Sequence, residues 1–258
     1  MIIERKKITD TAKEEKTFNE ELLKWVEITK TKRYKYLRNH VLDILKKFKF
    51  ENKKILELGC GISPYLTELD GNERYGLDLS KELIEKNNPK IAKFIQGDIL
   101  KCSEYFHIKF DLIFLVGVIH HINKREHSHV LMEIKNILKK GGILLIIEPN
   151  MMSVTGIYYL IRKTIEKLLG TRVVKKMIGF SSEDEKYLFP NKFKKELKKR
   201  NFAIKKIYSI QLLRLPPIKA FQKINIEKFN KKIDKILIQN NFLFGTAIIF
   251  EAKNSEKE

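Results

Sequence analysis

Several short polar clusters in this chain combine residue types that could bind and transform a ligand. In ILELGCG, from Ile55 to Gly61, an acid (Glu57) and two glycines (Gly59, Gly61) stand where an apolar run ends, and Ser63 with Pro64 follows as a helix-opening pair. Glycine has no β-carbon, so such a loop can turn sharply and lie close to a ligand. Strand, glycine turn and helix start are the parts of a nucleotide site. Taken alone they equally describe an ordinary turn. Asp78, in YGLDLS, lies about 20 residues further on, at the spacing where a carboxylate can accept hydrogen bonds from both hydroxyls of a ribose. In IQGDIL, Gly97 and Asp98 again follow a short apolar run, with Ile99 beside them to pack on a flat base. Each acid has a plain reading as a turn or helix-cap residue; at three consecutive strand ends they mark a ligand crevice.

A second group of residues could handle protons. His120 and His121 follow the run FDLIFLV, and imidazole titrates in the range useful to a general base. The alternative is that one packs against a bound ligand and the other caps the next turn. Glu148, in IEPN, is either a second contributor or a helix-start acid. His127 and His129 match no metal-ligand spacing, and no metal site is expected. Cys60 sits inside the glycine loop and Cys102 after the third run; both read as inert thiols.

The elements that must position these groups follow from the rhythm of the chain. KILELG, RYGLDL, KFIQGD, FDLIFLV and GILLIIE are short apolar runs separated by helix-length or loop-length pieces, which argues for a parallel sheet flanked by helices. The runs Leu112–Val116 and Ile143–Ile147 are almost wholly apolar, as in strands covered on both faces. Two apolar stripes at helical spacing, about Thr17 to Thr29 and Tyr34 to Phe48, make an N-terminal helical cap over residues 1–50, ahead of a main domain over 51–258. After Pro149 comes an insertion, 151–188. Its helical segment, Gly156 to Leu169, carries Ile157, Leu160, Ile161, Ile165 and Leu168 on one side, and it serves either as a lid or as a plain packing helix. The remaining chain reads as a helix near Asn191 to Arg200, a strand near Ala203 to Ile210, a break at Pro216 and Pro217, a helix near Ile226 to Ile238 and a last strand, Gly245 to Glu251.

Composition narrows the class. The chain has 258 residues, 43% of them hydrophobic, enough for one sizeable core. MIIERKKITD does not read as a secretory signal, and the longest apolar runs fall well short of the roughly 18 residues of a membrane helix. With only two cysteines, a reducing cytoplasm is expected. The net charge of +20 is the kind of footprint left by nucleic acid or an anionic membrane, yet lysines occur in every segment. The densest run, KFKKELKKR from Lys192 to Arg200, reads as the solvated face of an amphipathic helix with Phe193 and Leu197 turned inward.

The ordered series ILELGCGIS, YGLDLS, QGDIL, FDLIFLVGVIHHI and LKKGGILLIIEPN resembles the successive motifs of class I S-adenosylmethionine-dependent methyltransferases, over about Lys53 to Asn150. It is most similar to the small-molecule group with a double histidine after the fourth strand. The resemblance implies a Rossmann-like α/β fold whose seven-stranded, mostly parallel sheet ends in an antiparallel strand. It also implies S-adenosylmethionine as cofactor, with Glu57, Gly59, Cys60 and Gly61 around the methionine moiety, Asp78 and Leu79 at the ribose, Gly97, Asp98 and Ile99 at the adenine, and Val116 beside them. The family's frequent third glycine is Ser63 here. A nicotinamide enzyme also uses a glycine loop and a ribose acid, but its GxGxxG pattern needs glycine where Pro64 stands.

Methyl transfer from a sulfonium is an in-line displacement, so a base is required only if the acceptor carries a proton; His120 and His121 are the candidates. VGVIHHI lacks the Asn or Asp, prolines and aromatic common in enzymes that methylate base amino groups. The expected activity is methylation of a small or lipid-like acceptor. The alternatives are an RNA methyltransferase that uses the basic surface and a cofactor-binding protein without catalysis.

Overall fold

The computed structural model describes residues 32–48, 52–62, 64–69, 73–170, 188–210 and 245–255. Expected features that fall on Ser63, the first N-terminal helix, residues 171–187, the Pro216–Pro217 break and the helix near Ile226 to Ile238 lie outside the described residues. By its internal contacts the chain divides into Met1–Lys49 and Phe50–Glu258. In the first unit a single described helix, α1 (Lys32–Lys47), matches the expected stretch from Tyr34 to Phe48 and buries Val41, Leu42, Ile44 and Leu45 at i, i+1, i+3 and i+4.

The second unit is built on seven strands: β1 (Lys54–Leu58), β2 (Glu73–Asp78), β3 (Lys93–Gln96), β4 (Phe110–Val116), β5 (Leu138–Pro149), β6 (Phe202–Ile210) and β7 (Ala247–Asn254). They lie in the order β3-β2-β1-β4-β5-β7-β6, with β1 to β5 parallel and β7 antiparallel to both of its neighbours. This is the sheet expected from the motif series, with the antiparallel strand last in the chain and second from the edge in space. The direction of winding reverses between β1 and β4, which opens a crevice at the carboxyl ends of the strands.

Burial explains why the central runs are so apolar. Leu112, Ile113, Phe114 and Leu115 of β4 are wholly inaccessible, as are Leu144, Leu145 and Ile146 of β5. Each such side chain contributes about 1.5–3 kcal/mol relative to an exposed one. Helix α4 (His127–Ile137) covers this sheet with Val130, Leu131, Ile134 and Ile137, and α6 (Pro190–Lys199) buries Phe193 and Leu197. The lysines of α6 at 192, 195, 198 and 199 are exposed, so KFKKELKKR is the amphipathic helix its spacing suggests. The other helices described are α2 (Lys81–Lys86) and α3 (Cys102–Tyr105), which precede α4, and α5 (Val154–Leu169), which lies between α4 and α6 in the chain.

One local expectation differs from the structure. The segment after the glycine loop forms a single 3-10 turn, Tyr65–Glu68, with Pro64 at its start and no side-chain cap of its own. Helix α5 does form, capped by the Ser153 hydroxyl accepting from the amide of Gly156 at 2.9 Å. Its apolar side, however, points outward: Ile157, Leu160, Ile161 and Leu168 are exposed, while Arg162 is 4% exposed and bonds Glu166 at 2.9 Å.

Candidate functional site

The crevice begins where β1 ends. Gly59 and Gly61 have positive φ, 69° and 54°, in the left-handed region that costs other residues strain. A β-carbon on Gly59 would also lie 2.4 Å from Cγ2 of Val118, so any side chain here would force Val118 to move. The loop is pinned to the next strand: the amides of Gly59 and Cys60 donate to the carbonyl of Leu77 at 2.7 and 3.1 Å. Asn87 donates from Nδ2 to the carbonyl of Gly61 at 2.8 Å, a support the sequence did not flag.

Asp78 closes the loop from the end of β2. Its Oδ2 accepts from the amide of Gly61 at 2.7 Å and its Oδ1 from the amide of Ser80 at 3.0 Å. Burial pushes its pKa above the usual carboxylate value, and the amides of Ser80, Gly61 and Leu79 work against that rise. A carboxylate offers about four acceptor positions, so capacity remains for ribose hydroxyls. Leu79, next in the chain, is 63% exposed, an apolar surface at the crevice edge.

At the end of β3 the amide of Gly97 donates to the carbonyl of Asp78 at 2.9 Å, which ties the second and third strand ends together. A β-carbon on Gly97 would meet the Tyr105 ring at 2.7 Å. Asp98 spends Oδ1 on the amide of Leu100 at 2.9 Å and is half-buried, as is Ile99 beside it. Glu57 is 2% exposed, and its Oε2 accepts from the amide of Leu66 at 2.9 Å. The acid thereby supplies the cap that the 3-10 turn lacks. Cys60 is buried, and burial beside Glu57 and Asp78 pushes its thiol far up; Cys102 is pushed up to about 12, mainly by burial. Neither thiol is a nucleophile at neutral pH.

The other half of the crevice depends on the pairing of β4 with β5. Their register sets Val116 beside Ile147, so the chain leaving β4 runs alongside Glu148. Glu148 Oε1 accepts from the amides of Val118 and Ile119 at 2.9 and 2.7 Å. Its Oε2 lies 2.7 Å from Nδ1 of His120, with the two side chains 0% and 6% exposed. Because a carboxylate only accepts, Nδ1 donates in this contact, and Nε2 is the ring nitrogen that Glu148 does not hold. Among the described residues nothing bonds to that Nε2. His121 is exposed and its ring lies over that of His120, centroids 4.0 Å apart and tilted 39°. Val116 is half-buried at the mouth of this corner.

His127 and His129 serve the scaffold. His127 is buried edge-on against Phe193 with Nε2 3.2 Å from the carbonyl of Ile122, while His129 Nε2 lies 2.8 Å from the carbonyl of Leu100. Among the described residues no three His, Cys, Asp or Glu side chains group as a metal site would. At the opposite end of the sheet a depression of about 370 Å³ is lined by Lys109, Lys135, Lys139 and Lys140 with Asn136, Leu138 and Asn254. Its lysines already hold protein oxygens: Lys109 the carbonyl of Asn136, Lys135 that of Arg200, Lys139 the carboxylate of Asp111.

Taken together, the tight glycine turn, a buried acid with acceptor capacity, an exposed leucine beside it and a second acid at the next strand end fit an adenosine-bearing ligand. Residues 56–146 match the family model described as a methyltransferase domain. No curated protein matches the chain. Among solved structures, a methyltransferase from Thermotoga maritima, described as a possible histamine N-methyltransferase, is 16% identical with a TM-score of 0.59, over 93% of this chain and 97% of its own. An S-adenosylmethionine-dependent methyltransferase from Archaeoglobus fulgidus is 20% identical with a TM-score of 0.54, over 84% and 94%. Magnesium protoporphyrin IX methyltransferase from Synechocystis, with S-adenosylhomocysteine bound, is 15% identical with a TM-score of 0.54, over 85% and 82%.

Proposed function

We infer that this chain, a class I S-adenosylmethionine-dependent methyltransferase, methylates a small or lipid-like acceptor with His120 as general base. The observation that carries this reading is the buried pair of His120 and Glu148, 2.7 Å apart at the end of β4. S-adenosylmethionine, the enzyme's cofactor, supplies an electrophilic methyl group on a sulfonium. The loop from Gly59 to Gly61, with Cys60 giving only its backbone, would border the methionine moiety, and Glu57 holds that loop's exit. Asp78 and Leu79 would take the ribose, and Gly97, Asp98, Ile99 and Val116 the adenine side.

Glu148 acts on His120 rather than on the acceptor. It fixes the ring with Nδ1 protonated, so that Nε2 can receive the proton of an acceptor hydroxyl, amine or activated carbon. It also stabilises the imidazolium that results. His121, stacked on His120, would border the acceptor. Two of the structures named above carry different acceptors in their descriptions, which fits an acceptor set by residues around the crevice rather than by the sheet.

The test is incubation with methyl-labelled cofactor and separated metabolite, lipid and RNA fractions. Label in the metabolite or lipid fraction supports the reading; label in RNA alone overturns it. Glu148→Gln should lower labelled-methyl turnover while leaving cofactor affinity unchanged, and unchanged turnover would remove Glu148 from the mechanism. The +20 charge favours RNA as the second reading. That reading predicts salt-sensitive RNA binding lost on charge reversal at Lys194, Lys195, Lys198 and Lys199. Tight cofactor binding with no fraction labelled would instead mark a non-catalytic cofactor-binding protein.

A further inference from the structure

Helix α5 departs from the rule that an amphipathic helix buries its apolar face. Ile157, Leu160, Ile161 and Leu168 are 49%, 51%, 54% and 76% exposed, and they account for most of the large exposed aliphatic side chains among the described residues. At i, i+3, i+4 and i+11 they form one ridge along the helix. Lys163 and Lys167 are exposed next to the ridge, and the inward side is occupied by Arg162 and Glu166. The helix is also anchored to the crevice edge. β5 ends with Glu148 and Pro149, and Asn150 then bonds the carbonyl of Gly245 through Nδ2 at 2.8 Å. Ser153 donates its hydroxyl to the carbonyl of Asn150 at 2.7 Å and caps the helix. Seven residues lie between Glu148 and Gly156, so the ridge starts within one short connection of the proposed acceptor corner.

We propose that α5 is an interfacial helix that docks the enzyme on an anionic lipid surface through Ile157, Leu160, Ile161 and Leu168. An apolar ridge edged by lysines is the pattern that lies in the headgroup boundary, with aliphatic side chains entering the acyl region and ammonium groups meeting lipid phosphates. The charge of the whole chain selects among occupants. At +20, a second copy would be repelled by like charge, whereas an anionic bilayer is attracted. RNA would satisfy the charge but leave four aliphatic side chains in water. The inference deepens the lipid-like acceptor reading and rests on it, because a docked helix places the crevice mouth beside membrane-borne substrates.

The experiment is co-sedimentation of the full chain with phosphatidylcholine vesicles and with mixed phosphatidylcholine–phosphatidylglycerol vesicles. The expected result is binding to the mixed vesicles that weakens with salt and falls at least about tenfold in Ile157→Glu/Ile161→Glu. The side chains are exposed, so the variant should keep the Tm and cofactor affinity of the parent. Failure to bind either vesicle overturns the proposal, as does equal binding by parent and variant. A markedly lowered Tm in the variant would show the ridge packed on the chain itself, and a dimer by light scattering that the variant loses would show a second copy there; either also overturns it. The readout needs no turnover. Vesicle binding without label in any lipid would leave the docking surface standing and remove the lipid acceptor; label in lipid without vesicle binding would do the reverse.

Discussion

The two halves of the crevice are built by different means. On the β1–β3 side the anchors are mostly backbone groups meeting at successive strand ends, Gly61 to Asp78, Gly59 to Leu77 and Gly97 to Asp78, with Asn87 holding Gly61 from 26 residues away. On the β4–β5 side the corresponding anchor, Glu148 with His120, spans 28 residues and exists only because two strands pair in one register. The first half is a rigid cradle of backbone and acid, suited to a ligand that never changes. The second is an imidazole held by a carboxylate of the neighbouring strand, with His121 against it, and on the proposed reading it faces the acceptor.

That contrast can be broken experimentally, beginning where the effect is greatest. His120→Asn should lower kcat by about 10²–10⁴ while leaving cofactor affinity intact, measured by labelled-methyl turnover and calorimetry. A parallel loss of cofactor binding would mean the halves are not separable. Asp78→Ala should do the opposite, weakening cofactor binding by at least about tenfold, because charge-assisted bonds of this kind contribute roughly 1.5–3 kcal/mol each. Gly59→Ala combines positive φ with the Val118 clash, so it should cost about 1–3 kcal/mol in thermal or denaturant unfolding. Wild-type stability in that variant would mean that the loop repacks freely.

The smallest effect is one of pH. The folded-state pKa of Asp78 is raised, so its ionised form costs stability at neutral pH, and that cost is relieved as pH falls through the raised value. Cofactor binding runs the other way, because the ionised form is the better acceptor for ribose hydroxyls. Affinity should therefore decline on acidification with a midpoint above 3.8, the ordinary value, and Asp78→Asn should flatten that decline. A wild-type affinity flat through this range would exclude the ribose contact.

Much of the cofactor side could be read before any coordinates. Gly59, Gly61, Asp78 and Asp98 sit at successive strand ends, and a parallel sheet brings such ends to one edge whatever the details of packing. The role of Glu57 was less legible. It stands in the motif, yet its carboxylate goes to the amide of Leu66, because the turn after the loop is too short to cap itself. Asn87 and Tyr105 gave no signal, since an amide on a helix end and a ring one turn past a strand are ordinary residues until the fold brings them to Gly61 and Gly97.

The acceptor side and the outer helix mark the limit. Periodicity put Ile157, Leu160, Ile161 and Leu168 on one face of α5 but could not say which way that face turns, because hydrophobic spacing records a common side and not its neighbour. Likewise Glu148 read as a turn acid or a contributor until the register of β4 and β5 set it against His120. The sequence by itself determined the strands and their glycine and acid endings, since these depend on local pattern, and the motif series they form carried the resemblance that implies the cofactor. Only the tertiary structure decided which nitrogen of His120 is held by Glu148 and which helix turns its apolar face outward. Both depend on contacts between segments that the linear chain keeps apart.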